Sequence, residues 1–122
     1  MSRVTENKAR ERRIELEAVA DAYNESERAM GWYYYLEERL KFPFKARCKS
    51  QRAVSPLRLG EEVNVLAMAP EDECESEMLV RVRWQGRSVA VPLSQLKPVR
   101  ADQMTSQAVG DWHYWLARGY QF

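Results

Sequence analysis

The spacing of apolar residues changes twice along this chain, and this change constrains the fold more than any other feature. Between residues 10 and 41, apolar side chains recur every three or four residues, as they do on one face of a helix. Between residues 44 and 99 they alternate with polar ones, as in half-buried strands, and from 102 to 118 the helical period returns. A chain of 122 residues can bury one modest core, so we expect a single α+β domain over residues 1–122.

The first helical region predicts a pair of helices, with residues 1–9 as a candidate disordered arm. The first helix is expected from Lys8 to Tyr23, and four residues recur at helical spacing on its inner face: Leu16, Val19, Ala20 and Tyr23. Asn24 or Ser26 can cap a second helix that runs to about Leu40, before Pro43. Its apolar stripe is Ala29, Tyr33, Leu36 and Leu40, widened by Met30, Trp32 and Tyr34 or Tyr35.

The middle region predicts four or five short strands with tight turns. The candidate strands are Phe44–Lys49, Glu61–Ala69, Met78–Trp84, Ser88–Val91 and Leu93–Val99. In the second of these, Val63, Val65 and Ala67 are expected on one face, whereas Leu66 and Met68 share the other. Residues 85–87 (Gln-Gly-Arg) are typical of a hairpin turn. The order of these elements favours a small SH3-like antiparallel sheet or barrel, an architecture that supports many functions.

The last helix, expected over 102–118, begins at Asp102 as a cap and stops at Gly119. Its apolar stripe is Met104, Ala108, Trp112 and Trp115 or Leu116. We expect Trp112, Trp115 and Tyr120 to pack on the aromatic second helix, which places the C-terminal helix against the helical pair.

A carboxylate-rich segment interrupts the strand region. Five of the seven residues from Glu71 to Glu77 are acidic: Glu71, Asp72, Glu73, Glu75 and Glu77. The overall net charge of +1 includes these five negative charges, which leaves +6 for the rest of the chain. Carboxylates at this density repel one another unless a cation, a basic partner or solvent compensates them. Among ions Ca²⁺ suits best, since it accepts six to eight oxygen ligands in irregular geometry. A solvated acidic loop that keeps the domain in solution is the plain alternative.

Other chemistries find little support in the sequence. The single histidine, His113, lies between aromatic residues of a predicted helix, and no phosphate loop, HExxH or CxxC motif occurs. The acidic segment lacks the DxDxDG core of an EF-hand. Lys and Arg number 19 against 18 Asp and Glu, so no global charge draws the chain to nucleic acid or membranes. The N-terminus lacks the apolar core of a secretory signal, and no apolar run is long enough to span a membrane. Since only two cysteines occur, Cys48 and Cys74, we expect a cytoplasmic protein. Because no catalytic motif is found, we also expect that it is not an enzyme.

Several sequence blocks resemble the small non-EF-hand bacterial calcium-binding protein family first recognised in cyanobacteria. They occur in the same order over roughly residues 10–120: residues 29–37 (AMGWYYYLE), 41–44 (KFPF), 55–60 (SPLRLG), 68–75 (MAPEDECE), 91–98 (VPLSQLKP) and 111–115 (DWHYW). The resemblance implies a cytoplasmic calcium buffer or regulator that uses surface carboxylates. It also implies that Glu37 and Glu38, an acidic pair near the end of the tyrosine-rich helix, supply ligands together with the loop.

Two features leave alternatives open. Glu38 and Glu37 have simpler uses, such as pairing with Lys41 or an arginine. The cyanobacterial type is markedly acidic, whereas this chain is near neutral with a basic N-terminal segment (Arg3, Lys8, Arg10, Arg12 and Arg13). The competing hypothesis is therefore an SH3-like protein-interaction module whose acidic loop contacts a basic partner.

Overall fold

A computed structural model describes residues 5–122 and places a five-stranded antiparallel sheet between helices at the two ends of the chain. The helices are α1 (Lys8–Arg13), continued by a π-helical turn (Ile14–Ala18), α2 (Glu25–Arg39) and α3 (Gln103–Ala117). The strands are β1 (Phe44–Cys48), β2 (Glu62–Met68), β3 (Leu79–Trp84), β4 (Arg87–Pro92) and β5 (Leu96–Arg100). The α+β prediction is confirmed. Within the described range, no helix combines the length and apolar character needed to cross a bilayer.

The first helix is shorter than predicted and exposes a different face. It begins at Lys8, with the Asn7 side chain accepting a hydrogen bond from the Arg10 N–H at 3.0 Å. Residues 7–9 therefore belong to the helix and its cap rather than to a disordered arm, while residues 1–4 lie outside the described range. The helix ends at Ala18 through the π-helical turn, whose wider winding rotates the later residues out of phase. The inner face predicted for Leu16 and Tyr23 is therefore wrong. Leu16, within this turn, is 62% exposed, and Tyr23, in the connection after the helix has ended, is 81% exposed.

The second helix follows the prediction closely. Asn24 caps it by accepting a hydrogen bond from the Glu27 N–H at 2.8 Å. The predicted stripe is buried, together with Trp32 and Tyr35. Met30 and Tyr34 remain exposed on one strip of the helix, next to the acidic segment described below.

The sheet order is β4-β3-β2-β1-β5, with every neighbouring pair antiparallel. Gln85 and Gly86 join β3 to β4 with positive φ angles of 50° and 80°, the conformation of a type I′ hairpin turn. A register shift between Val65 and Ala67 corrects one prediction: the bulge brings Met68 to the same buried face as Val65. The SH3-like description stays an interpretation of this strand order.

The C-terminal helix packs on α2 through aromatic rings. The Trp32 ring centroid lies 5.1 Å from that of Trp112 and 5.5 Å from that of Trp115, and the Tyr120 ring covers Trp115 at 6.0 Å. Asp102 caps the helix as predicted. Met104 is exposed, however, and Thr105 is buried in its place because its hydroxyl accepts a hydrogen bond from the Lys41 N–H at 2.9 Å.

A buried carboxylate joins the three helices. Asp111 of α3 has no solvent exposure, and its oxygens accept hydrogen bonds from Arg10 Nη1 at 2.6 Å, Arg13 Nη2 at 2.7 Å and Tyr35 Oη at 2.6 Å. The Asp111 hydrogen bond raises the pKa of Arg13 against the opposing effect of burial. Two of the basic N-terminal residues thus neutralise an internal charge rather than adding to the surface charge.

Candidate functional site

The acidic segment forms the connection between β2 and β3. Glu71–Glu73 make one 3₁₀ turn, and the next residue, Cys74, is buried while its acidic neighbours are exposed. The Cys74 sulfur accepts a hydrogen bond from the Leu79 N–H at 3.4 Å, which fixes the middle of the loop. Burial raises the pKa of the Cys74 thiol, which makes it a poor nucleophile.

An open cleft of about 730 Å³ separates this loop from the first half of α2. The loop contributes Glu71, Asp72 and Glu75 to its wall, and the helix contributes Glu25 and Ser26. Ser76 of the loop and four less polar residues, Ala29, Met30, Tyr33 and Cys74, complete the lining. The fold therefore gathers carboxylate and hydroxyl oxygens from two distant parts of the sequence around one solvent-accessible space.

Two tyrosines of α2 hold the entry to the loop. Tyr33 donates a buried hydrogen bond to the Ala69 carbonyl at 2.8 Å, and Tyr34 donates one to Glu71 Oε2 at 2.6 Å. Burial, followed by the charge of Glu37, raises the pKa of Tyr33 to about 12. The Glu71 hydrogen bond is the main cause of the raised pKa of Tyr34. Glu71 is thus positioned from the helix before any ligand arrives.

The structure separates the two acids near the end of α2. Glu37 follows Tyr33 by four residues and Tyr34 by three, so helical geometry places it on the same side of α2 as these two tyrosines. Glu38 follows about 100° further around the helix. Its carboxylate lies 3.7 Å from the Arg39 guanidinium, and its side chain is 75% exposed. Glu38 thus has the simple ion-pair role that the sequence left open, although its partner is Arg39 rather than Lys41.

Two further acids of the loop are paired with arginines. Glu77 accepts two hydrogen bonds from Arg52, at 2.9 and 3.2 Å, and Glu73 lies 3.9 Å from Arg81. The Glu77 hydrogen bond raises the pKa of Arg52 against the effect of burial. Asp72 and Glu75 have no such ion pair among the described residues. The loop therefore divides into cleft-facing acids and acids that hold its base to the sheet.

The oxygen-rich lining of the cleft fits the chemistry of a hard cation such as Ca²⁺. In residues 5–122, however, no three His, Cys, Asp or Glu side chains converge closely enough to hold a metal ion. The exposed carboxylates of Glu71, Asp72 and Glu75 can rotate toward a common centre, and their mutual repulsion favours a cation between them.

The comparisons with known proteins decide the family. A family model described as calcium binding, that of CcbP, matches residues 12–116. The chain belongs to the CcbP calcium-binding family. The resemblance read from the sequence is thereby confirmed, as is Ca²⁺ as the ligand of the family. The description of the CcbP family is calcium binding, and it names no enzymatic activity.

Two solved structures match the whole chain. The crystal structure of CcbP from the bacterium Anabaena is 43% identical, covers 100% of both chains and superposes with a TM-score of 0.88. A calcium-binding protein in its calcium-binding form is also 43% identical over 100% of both chains, with a TM-score of 0.85. No curated protein matches the chain significantly.

Sequence reasoning missed the contribution of the first half of α2. Glu25 fits the first turn of a helix, where negative charge is favourable, so its sequence position gives no sign of a second role. The exposed Tyr34 was read as part of an aromatic stripe. Its position, four residues after Met30 on a strip without core partners, becomes informative only when the loop is placed against it.

Proposed function

We propose that this chain binds Ca²⁺ in the cleft between the β2–β3 loop and α2, with Glu71, Asp72 and Glu75 as the principal ligands. The observation that carries the proposal is that these three acids share one cleft wall. Membership of a calcium-binding family supports the choice of ion. Glu25 lines the cleft from the helix side, Glu37 lies one helical turn after Tyr33, and backbone oxygens and water complete the shell.

The paired acids have a supporting role in this proposal. A carboxylate that bonds an arginine gives up part of that interaction when it turns to a metal ion, so Glu73 and Glu77 are the less available members of the acidic run. Glu38 is not part of the proposed ligand set, because its carboxylate lies beside Arg39 and it is not among the residues that line the cleft.

Binding is tested by calorimetric titration with calcium and then with magnesium. We expect a saturable calcium signal with a dissociation constant on the order of 10⁻⁵ to 10⁻³ M. Magnesium should bind more weakly, since it dehydrates reluctantly and requires strict octahedral geometry that an irregular loop does not offer. An equal response to both ions that modest salt abolishes would reduce the loop to a diffuse attractor of counter-ions.

The location of the site is tested with a matched pair of triple variants. The cleft variant, Glu71→Gln, Asp72→Asn and Glu75→Gln, should weaken calcium binding at least tenfold, roughly 1.4 kcal/mol or more. The control variant, Glu6→Gln, Glu15→Gln and Asp21→Asn, removes the same charge from exposed residues outside the cleft. Equal weakening in both variants would show that overall charge, and not the cleft, attracts the ion.

A calcium-responsive regulator differs from a buffer in changing its structure on binding. The Tyr34–Glu71 hydrogen bond supplies the link, because a metal ion on Glu71 competes with the Tyr34 hydroxyl. Amide hydrogen exchange over α2 and residues 69–78, with and without calcium, separates the two roles. Slower exchange limited to the loop indicates a buffer, whereas a change that extends into α2 indicates a regulator.

The alternative, contact of the acidic loop with a basic protein partner, stays a prediction. One observation favours it: the loop already bonds two guanidinium groups of its own chain, those of Arg52 and Arg81. Under this alternative the cleft variant loses affinity for a basic partner and its response to calcium is unchanged.

A further inference from the structure

The outer face of the sheet concentrates positive charge. Along each strand, alternate residues point into the core, as the buried Val63, Val65, Val80 and Val82 do. The residues between them point outward, and six of these are cationic. Arg81 lies 3.9 Å from Glu73 of the acidic loop, and the other five are Lys45, Arg47, Arg83, Lys97 and Arg100. We call these five residues the basic sheet face.

The strand register places these cations side by side. Arg100 is paired with Lys45, Lys45 with Asn64, and Asn64 with Arg83, which forms one row across four strands. At about 4.8 Å between neighbouring strands, this row is about 14 Å long. Lys97 and Arg47 are paired in the adjacent row. The cations thus form a compact two-row group, although they are scattered over more than fifty residues of the sequence.

The charge of this face is largely uncompensated. Glu62 is the only acidic residue that the described strands place there, and it accepts a hydrogen bond from Arg47 Nη2 at 2.6 Å. That hydrogen bond lowers the pKa of Glu62, and the charges of Arg47, Lys45 and Arg100 act in the same direction. The other four cations of the basic sheet face form no ion pair among the described residues. Five cations and one carboxylate leave a strongly positive surface on a nearly neutral chain.

We propose that the basic sheet face binds an acidic segment of another protein. Alternate residues of an extended segment lie about 7 Å apart, so two or three carboxylates of one segment can reach the cations of the longer row. Arginine also binds carboxylates through two parallel hydrogen bonds, which gives such a contact direction as well as charge. This inference does not depend on calcium binding.

The surroundings of the face favour a short acidic segment over a nucleic acid. No aromatic residue of the described strands points to this face, so stacking with bases is not provided. Arg81, at one edge, lies 3.9 Å from Glu73 of the acidic loop. A long polyanion laid across the face would run onto the carboxylates of that loop, whereas a short segment ends before it.

The probe for this proposal is a fluorescein-labelled synthetic peptide of about ten residues, with glutamate at alternate positions separated by serine and alanine. Fluorescence anisotropy is measured with a calcium chelator present, first at about 20 mM salt and then at increasing salt. We expect saturable binding that weakens steadily as salt screens the charges. Absence of saturable binding at low salt would overturn the proposal.

A matched pair of variants locates the binding surface. The face variant, Lys45→Gln, Arg83→Gln and Arg100→Gln, should lose roughly tenfold or more in affinity, because three cations of the longer row are removed together. The control variant, Lys8→Gln, Arg12→Gln and Arg58→Gln, removes the same charge from exposed positions off the sheet and should stay within about twofold. Equal losses in both variants would contradict a specific face.

Further measurements exclude the other occupants. Tighter binding of a short duplex DNA, or of vesicles containing phosphatidylserine, than of the peptide would assign the face to a phosphate-bearing partner and refute the proposal. Salt-sensitive self-association in sedimentation, lost in the face variant, would assign it to a second copy of this chain and would also refute it. If the face variant does not fold, Arg83→Gln and Lys97→Gln are tested singly, and unchanged affinity in both would count against the proposal.

Discussion

Asp111 offers the sharpest test of how this fold is held together. Its carboxylate has no exposure to solvent and accepts hydrogen bonds from two arginines and one tyrosine at 2.6 to 2.8 Å. The substitution Asp111→Asn keeps the shape of the side chain and removes its charge. An amide also presents an N–H₂ group to the guanidinium donors, so at least one of these hydrogen bonds is replaced by a contact between two donors.

The magnitude follows from the burial of the groups involved. Breaking a buried ion pair by removing one partner costs about 3–5 kcal/mol, because the remaining charge is left uncompensated. The arginine side chains are partly exposed here, 31% for Arg10 and 21% for Arg13, so water can solvate them after the substitution. We therefore expect a loss near the lower end, about 3 kcal/mol in the free energy of unfolding.

The assay is urea denaturation followed by tryptophan fluorescence, since Trp32 and Trp112 lie in the helical core joined by Asp111. The midpoint should fall while the slope with urea stays constant, because the surface exposed on unfolding is unchanged. Asp72→Asn, the same chemical change on an exposed side chain, is the control and should stay within about 0.5 kcal/mol when a calcium chelator is present. A loss below about 1 kcal/mol for Asp111→Asn would refute the view that this network holds the helices together.

Three further predictions follow from single contacts. Burial lowers the pKa of His113 from 6.5 to about 4, so the unfolded chain binds the proton more readily, and stability should decline by about 3 kcal/mol as pH falls from 6.5 to 4. Urea midpoints measured across this pH range check the decline. The variant His113→Gln, which can still donate a hydrogen bond to the Leu96 carbonyl, should flatten the dependence of stability on pH. An unchanged dependence would refute its assignment to His113. Gly31→Ala should lower the thermal midpoint despite the better helix propensity of alanine, since the added Cβ would clash with the Ala18 carbonyl oxygen; an unchanged or higher midpoint would contradict that packing. Tyr34→Phe removes the hydrogen bond to Glu71 and should change calcium affinity severalfold in calorimetry, whereas identical affinity would show that this bond is not broken or needed when the ion binds.

The sequence determined the elements of this fold because local patterns carry them. The helical stripe of α2 and its Asn24 cap depend on neighbours within four residues, and both are found where the pattern predicts them. The hairpin at Gln85 and Gly86 follows in the same way from the glycine, which adopts a positive φ readily. Family membership was also readable, since blocks of residues keep their order along the chain.

Where local geometry departs from the regular period, the sequence predicted the wrong face. The π-helical turn at Ile14–Ala18 and the bulge near Leu66 each shift the phase of the residues that follow. A regular period of 3.6 residues for a helix, or of 2 for a strand, does not predict where a π-helical turn or a bulge adds an extra residue. Leu16 was therefore assigned to the core, and Met68 was placed on the face opposite to Val63 and Val65.

Tertiary structure alone decided which charges meet. Asp111 is about a hundred residues away in sequence from its partners Arg10 and Arg13. Glu25 lines the acidic cleft although it precedes the acidic loop by more than forty residues. The same holds for Lys45, Arg83 and Arg100, which only the pairing of strands brings into one row. Electrostatic interactions depend on distance in space, and the sequence specifies that distance only after packing of the apolar residues has fixed how the elements lie against one another.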